Sequence, residues 1–208
     1  MFSYILGPVL CYLLGAVPFG FLAAKARGID IREQGSGNIG ATNVGRVLGR
    51  SWFFAIFALD FLKGLACVSA IFLLLNPGKT DEVNLQVIYG FAGILGHMFP
   101  VYLGFKGGKG IATSSGVFAY LTPFPILAGL VVWVILYAAL RYVSLASICA
   151  VVVFTASYFL FPFFLYKYDE FSPKVLLLSA SCVLIPLLVI FRHRQNIARL
   201  MSGRELRV

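Results

Sequence analysis

From Gly110 to Arg141 the chain reads GIATSSGVFAYLTPFPILAGLVVWVILYAALR, mostly apolar and uncharged until its last residue. One straight helix of that length would reach about 45 Å at 1.5 Å per residue, too long for a hydrocarbon core of about 30 Å. Thr122-Pro123-Phe124-Pro125 interrupts the run, and two prolines a residue apart favour a tight turn between two short helices, residues 111–121 and 126–140. Working outward, apolar runs of membrane length cover residues 3–24, 52–75, 85–103, 145–165 and 174–191. The expectation is an all-α polytopic membrane protein of about seven transmembrane helices, a single integral membrane domain over residues 1–208.

Composition agrees. Of 208 residues, 60% are apolar and 12% charged, and the mean hydropathy is +0.92. Lipid is the solvent such a chain needs, which excludes disorder and leaves nothing for a separate soluble domain. A cleaved signal peptide would need a basic segment before its apolar stretch, whereas here the apolar residues come first and Lys25 and Arg27 follow. The N-terminal run therefore reads as a retained span. Cys11, Cys67, Cys149 and Cys182 fall in apolar stretches without a C-x-x-C pair, as small core- or lipid-facing residues do, so no disulfide, metal or cofactor is expected.

Charge orients the bundle. With the N-terminus outside, the inner segments hold Lys25, Arg27, Arg32, Arg46, Arg50, Lys106, Lys109 and Arg141, with Arg192, Arg194, Arg199, Arg204 and Arg207 in the tail. The outer segments hold Lys79, Lys167 and Lys174 beside Asp81, Glu82, Asp169 and Glu170. That asymmetry predicts a cytosolic C-terminus. The net charge of +9 then reflects this bias and an affinity for anionic ligands or lipids, not nucleic acid. Glycines 90, 93 and 96 in the third span are expected to let neighbouring helices approach closely.

Three polar motifs fall on the inner side. The first is Gly35-Ser36-Gly37-Asn38-Ile39-Gly40-Ala41-Thr42-Asn43-Val44-Gly45-Arg46. It matches G-x-G-x-x-G by letter but follows a membrane helix, so the dinucleotide reading fails. What survives is an anion nest, with Ser36, Asn38, Thr42 and Asn43 as neutral donors and Arg46 as a bidentate cation for phosphate. The second, Gly104-Phe105-Lys106-Gly107-Gly108-Lys109-Gly110, lacks P-loop spacing, yet lysines among glycines at a helix start make a phosphate cradle. The third is the tail, Arg192 to Leu200; a helix continuing through it would align His193, Asn196 and Leu200. The turn from Arg141 to Ser147 adds the hydroxyls of Ser144 and Ser147 at the inner end of a span.

Within the bilayer Asp60 and Lys63 stand three residues apart, either as a structural ion pair or in a polar cavity. His97 near the inner end of the third span is either a base or a hydrogen-bonded residue holding the adjacent lysine loop. The sequence shows no carboxylate set to orient either His97 or His193.

The strings Ser36 to Asn43, Gly96-His97-Met98-Phe99-Pro100 with Phe105 to Gly110, and His193 through Glu205 resemble the three signature motifs of bacterial acyl-phosphate:glycerol-3-phosphate acyltransferases of the PlsY type. The resemblance spans nearly the whole chain and includes residues 60–64 and 141–147. It implies a seven-span inner-membrane enzyme that makes 1-acyl-glycerol 3-phosphate and phosphate, the first acylation of phospholipid synthesis. It implies acyl phosphate as donor, supplied by a soluble partner enzyme, and membrane lipid as the surroundings. Matching motifs residue by residue assigns Arg46, Lys109, Ser147, His193 and Asn196 to catalysis. Ser36, Gly37, Asn38, Gly40, Thr42, Asn43, Lys106, Gly107, Gly108, Arg141 and His97 are assigned to substrate or phosphate binding. With no G-x-S-x-G elbow and no cysteine in a polar loop, direct transfer is favoured over an acyl-enzyme. The proton acceptor is either a histidine or an oxygen of the donor phosphate, the latter preferred. An anion transporter would spread polar groups through the membrane depth, and here they crowd one side.

Overall fold

The computed structural model describes residues 2–77, 82–161 and 175–207, which form two compact units divided between Tyr120 and Leu121. All regular structure among them is helical. Of the outer charges, Lys79, Asp81, Lys167, Asp169, Glu170 and Lys174 lie outside the described residues.

In the first unit, α1 (Phe2–Ala16) and α2 (Phe19–Lys25) make one candidate span, Ser3–Lys25, broken at Val17-Pro18. Proline offers no N–H to continue the ladder, so carbonyls at the break need other donors; Lys63 Nζ donates to Val17 O at 2.9 Å. After the short α3 (Ala41–Leu48), α4 (Arg50–Ala66) runs through a π-helical bulge at Cys67–Ile71 into α5 (Phe72–Leu75), making the span Arg50–Leu75. Then come α6 (Val83–Met98), and α7 (Ile111–Leu121).

The glycines of α6 do what their spacing suggested. A Cβ on Gly96 would overlap the Tyr12 carbonyl of α1, Gly93 packs on Cys67 Sγ, and Gly90 on Val68 and Val117. From α1, Gly15 sits on the Gly93 carbonyl and Gly7 on the Tyr89 ring. In lipid, where burial of apolar surface does not drive helices together, such close approach supplies the dispersion contacts that do. Cys11, Cys67, Phe72, Leu85 and Tyr89 are buried at this junction. Tyr89 Oη donates to Ser3 O at 2.7 Å, tying the ends of α1 and α6 together. Gly96→Leu is therefore expected to push α1 off α6 and cost about 1–3 kcal/mol, seen as a lower unfolding temperature in detergent.

The second unit contains α8 (Pro123–Leu140), α9 (Val143–Leu160), α10 (Leu176–Arg192) and α11 (Arg194–Met201). α8 and α9 form an antiparallel pair turned at Arg141, whose φ of 61° closes α8 in the left-handed conformation. Gly129 faces the Ala150 carbonyl across this pair. α9 and α10 are pinned by Thr155 Oγ1 donating to Cys182 O at 2.9 Å and by Tyr158 Oη paired with Ser179 Oγ at 2.9 Å.

Two expectations change. The proline turn is shorter than the sequence suggests: α8 begins at Pro123, where proline's fixed φ and missing N–H suit a first turn. The result is one 18-residue helix able to cross the membrane and one 11-residue helix of about 16 Å that by itself is not. Among the described residues, five spans are long and apolar enough to cross, six if α10 and α11 count as one bent span. Secondly, the last span does not continue straight. α11 bends from α10 by 56° at His193, whose N–H is shared between Val189 O and Ile190 O.

Candidate active site

The first glycine loop is built around Asn43. Its Nδ2 donates to Gln34 O and Asn38 O, both at 2.9 Å, and lies 3.3 Å from Ile31 O, while its Oδ1 accepts from the Ser36 N–H at 2.8 Å. Asn38 Oδ1 in turn accepts from the Gly40 N–H at 2.9 Å. The Asn43 amide is thus occupied in shaping the loop, so the neutral-donor role expected of Asn43 gives way to a scaffolding one, while Asn38 uses its Oδ1 there. Gly37 stands at φ 68°, where a Cβ would approach Arg32 O. Beneath the loop Ala24, Ile31, Ile39, Ala41, Val44 and Ile56 form an apolar base. Thr42 and Arg46 follow on one face of α3, four residues apart, and Arg46 is half-buried.

The second loop is held by His97. Gly108 N–H donates to His97 O at 3.1 Å, and a Cβ on Gly108 would overlap His97 Nε2, as one on Gly107 would overlap His97 O. The two central glycines are there because the loop backbone lies directly on the histidine. Lys106 is exposed, Lys109 half-buried, and Gly110 at φ 89° leads into α7. In the first turn of α7, Thr113 Oγ1 and Ser114 Oγ are buried with no hydrogen-bond partner, a costly state that a polar ligand would relieve.

His97 also has the carboxylate that the sequence did not reveal. Asp60 Oδ1 lies 3.5 Å from His97 Nδ1 and 2.8 Å from Lys63 Nζ, and all three residues are buried. The Asp60–Lys63 pair expected from the sequence is thus part of a larger cluster. The loop-holding reading of His97 is the one this geometry supports.

In the second unit Glu205 is a hub the sequence reading passed over. Its Oε1 accepts from Ser144 Oγ at 2.7 Å and Asn196 Nδ2 at 2.6 Å, and its Oε2 from Arg199 Nε at 2.8 Å. Burial acts to raise the Glu205 carboxyl, but the three donors and the Arg199 charge outweigh it and hold it below its ordinary value. Gly203, at φ 69°, turns the chain after α11 and brings Glu205 back to Asn196. Ser147 is buried, with its Oγ accepting from Trp133 Nε1 at 3.1 Å, which leaves its O–H able to donate. His193 is buried and its Nδ1 donates to Val189 O at 2.8 Å, fixing ring orientation. Arg141 is set apart as an exposed helix cap packed over the Tyr137 ring.

The site residues thus gather as two phosphate-suited loops in the first unit and a Glu205-centred polar network in the second. A family profile described as Glycerol-3-phosphate acyltransferase matches residues 5–203. The chain is 44% identical over 199 residues to the glycerol-3-phosphate acyltransferase of Aquifex aeolicus (strain VF5), covering 96% of each. It is 40% identical over 207 residues to that of Geobacter sulfurreducens, covering 100% of this chain and 98% of the relative. Among solved structures it is similar to PlsY, described as an integral membrane glycerol 3-phosphate acyltransferase. The glycerol 3-phosphate form gives a TM-score of 0.86 and the lysophosphatidic acid form 0.82, each at 38% identity and covering 99% of this chain. The match covers 96% and 95% of those chains. With a matching profile over nearly its full length and relatives at 40–44% identity, this chain belongs to the glycerol-3-phosphate acyltransferase family.

Proposed function

We propose that this protein transfers the acyl group of acyl phosphate to the 1-hydroxyl of glycerol 3-phosphate, releasing lysophosphatidic acid and inorganic phosphate. The observation that carries the reading is the pair of ordered, glycine-shaped cationic loops beside Arg46 and Lys109, in a family described by its acylation of glycerol 3-phosphate. We assign the donor as acyl phosphate because a mixed anhydride brings its own leaving group. The protein then needs to supply position and charge, not a nucleophile.

The acceptor hydroxyl oxygen attacks the carbonyl carbon, the bond from that carbon to the phosphate oxygen breaks, and the departing phosphate takes the hydroxyl proton. Arg46 and Lys109 neutralise phosphate charge as it grows on the leaving group. Ser36, Gly37, Gly40 and Thr42 of the first loop and Lys106, Gly107 and Gly108 of the second surround phosphate oxygens, with Asn38 and Asn43 keeping the first loop in shape. By their match to the family's motifs, we assign Ser147, His193 and Asn196 to orienting the acceptor. Ser147 Oγ has an indole as its partner, not a histidine or carboxylate, so it is unactivated as a nucleophile.

By the charge asymmetry, the loops face the cytosol of a bacterial inner membrane, with the N-terminus outside and the C-terminus inside. A soluble enzyme supplying acyl phosphate is the expected partner, and the acyl chain stays in lipid. His193→Ala is expected to raise the KM for glycerol 3-phosphate more than it lowers kcat; a loss confined to kcat would make the histidine a base. The reading as a whole is tested by giving the purified protein glycerol 3-phosphate with either acyl phosphate or acyl-CoA. Lysophosphatidic acid is expected from the first donor alone, and its formation from acyl-CoA at a similar rate would overturn the donor assignment.

A further inference from the structure

A buried ion cluster lies outside the residues that meet substrate in the scheme above. Asp60 and Lys63 project from one face of α4, and His97 comes from the end of α6. Asp60 is 3%, Lys63 4% and His97 6% exposed, so little water reaches any of them. Lys63 Nζ lies 2.8 Å from Asp60 Oδ1 and 2.9 Å from Val17 O, where α1 breaks, and 5.4 Å from the Phe19 ring centre. Asp60 is thereby neutralised and fixed in place. It meets His97 Nδ1 at 3.5 Å. A carboxylate on that side keeps the proton on Nδ1 and sets the plane of the ring.

The other edge of the ring, Nε2, lies against the Gly108 backbone, and the His97 carbonyl accepts the Gly108 N–H. Gly107 is seated on the same carbonyl and on Pro100. The histidine therefore contacts the lysine loop at its two central residues, one from each end of its own structure, ring and backbone. Its ring nitrogens face Asp60 and Gly108, which suits a support and not a base that must meet an incoming hydroxyl. Buried ion pairs add little net stability compared with apolar residues of the same volume. What such a cluster does supply is a fixed direction, and here that direction ends at the glycines flanked by Lys106 and Lys109.

We propose that Asp60 is a positioning residue that acts through His97 to hold the Gly107-Gly108 turn, and with it Lys109, in its phosphate-binding geometry. The structural part stands on its own contacts, and its catalytic consequence rests on the reading of Lys109 given above. The loop carries its own reporter, because trypsin cleaves after lysine, at Lys106 and Lys109. Asp60→Asn in the purified full-length protein is expected to speed cleavage at these two sites about tenfold, the scale of losing one modest hydrogen bond. It should also lower kcat for acyl transfer in the same sense as Lys109→Ala but by a smaller factor, with KM less affected.

Should Asp60→Asn fold poorly, Asp60→Leu combined with Lys63→Met removes both charges together and avoids stranding one. The same faster cleavage is expected of it. Unchanged cleavage at Lys106 and Lys109 in either folded variant would overturn the proposal. So would cleavage that accelerates equally at all lysines and arginines, which marks general loosening. If instead Lys109→Ala were fully active, the catalytic reading would fail while faster cleavage in Asp60→Asn still upheld the anchor.

Discussion

Lys109→Ala is expected to lower kcat/KM for acyl transfer by about 10²- to 10³-fold while leaving the protein folded. Lys109 is half-buried, next to Gly110 and the start of α7. On the proposed assignment, an ammonium held there meets a phosphate together with helix N-terminal N–H groups, in surroundings where charge is poorly screened. In the proposed reaction the leaving phosphate gains charge as the acyl–oxygen bond breaks, so a fixed cation would stabilise the transition state more than the bound reactant. Removing one preorganised donor of this type costs on the order of 3–4 kcal/mol. Lys106 is exposed, and Lys106→Ala should cost far less, since water screens and replaces what it offers. Steady-state rates for both variants, normalised to folded protein, check the contrast. Losses of equal size would mean that the loop contributes only general positive potential.

Glu205→Ala is expected to be the most disruptive single change in the second unit. Ser144, Asn196 and Arg199 all donate to this one carboxylate, so its loss strands three donors, one of them charged. Breaking a buried charge pair from one side costs about 3–5 kcal/mol; Arg199 is partly exposed, which places the cost toward the lower end. Activity falls with stability, because Asn196 loses the partner that orients its amide. The sign of the pH effect follows from the same contacts. The folded-state pKa of Glu205 is depressed, so its contribution is complete above the ordinary glutamate value of about 4.3. It is lost as pH falls through the lower, folded-state value. Glu205→Gln should therefore be less stable than the parent at neutral pH and lose less on acidification. Unfolding temperatures between neutral pH and about pH 3 for both proteins check this.

Hydropathy made the helices legible, because a lipid solvent leaves a 20-residue apolar signature that no tertiary contact can erase. The proline break, the close-packing glycines of α6 and the glycine loops were readable for the same reason: each constraint acts on the backbone where the residue stands. What escaped depends on conformation or on distance in sequence. Asn43 looks like a ligand donor until the loop closes around its amide. Asp60 and His97 meet only because α4 and α6 share the first unit. Glu205 reaches Asn196 only after the turn at Gly203. The π-bulge at Cys67–Ile71 carries no proline or glycine, and so no local sign.

Direct transfer between two bound phosphate-bearing reactants, an acyl phosphate anhydride and a phosphate monoester, is the centre of this account, and one measurement addresses it: rapid-quench detection of phosphate from purified protein mixed with acyl phosphate. The prediction is that phosphate appears only when glycerol 3-phosphate is also present, in a one-to-one ratio with lysophosphatidic acid. A burst of phosphate without the acceptor, equal to the amount of enzyme and leaving the acyl group bound to the protein, would contradict it.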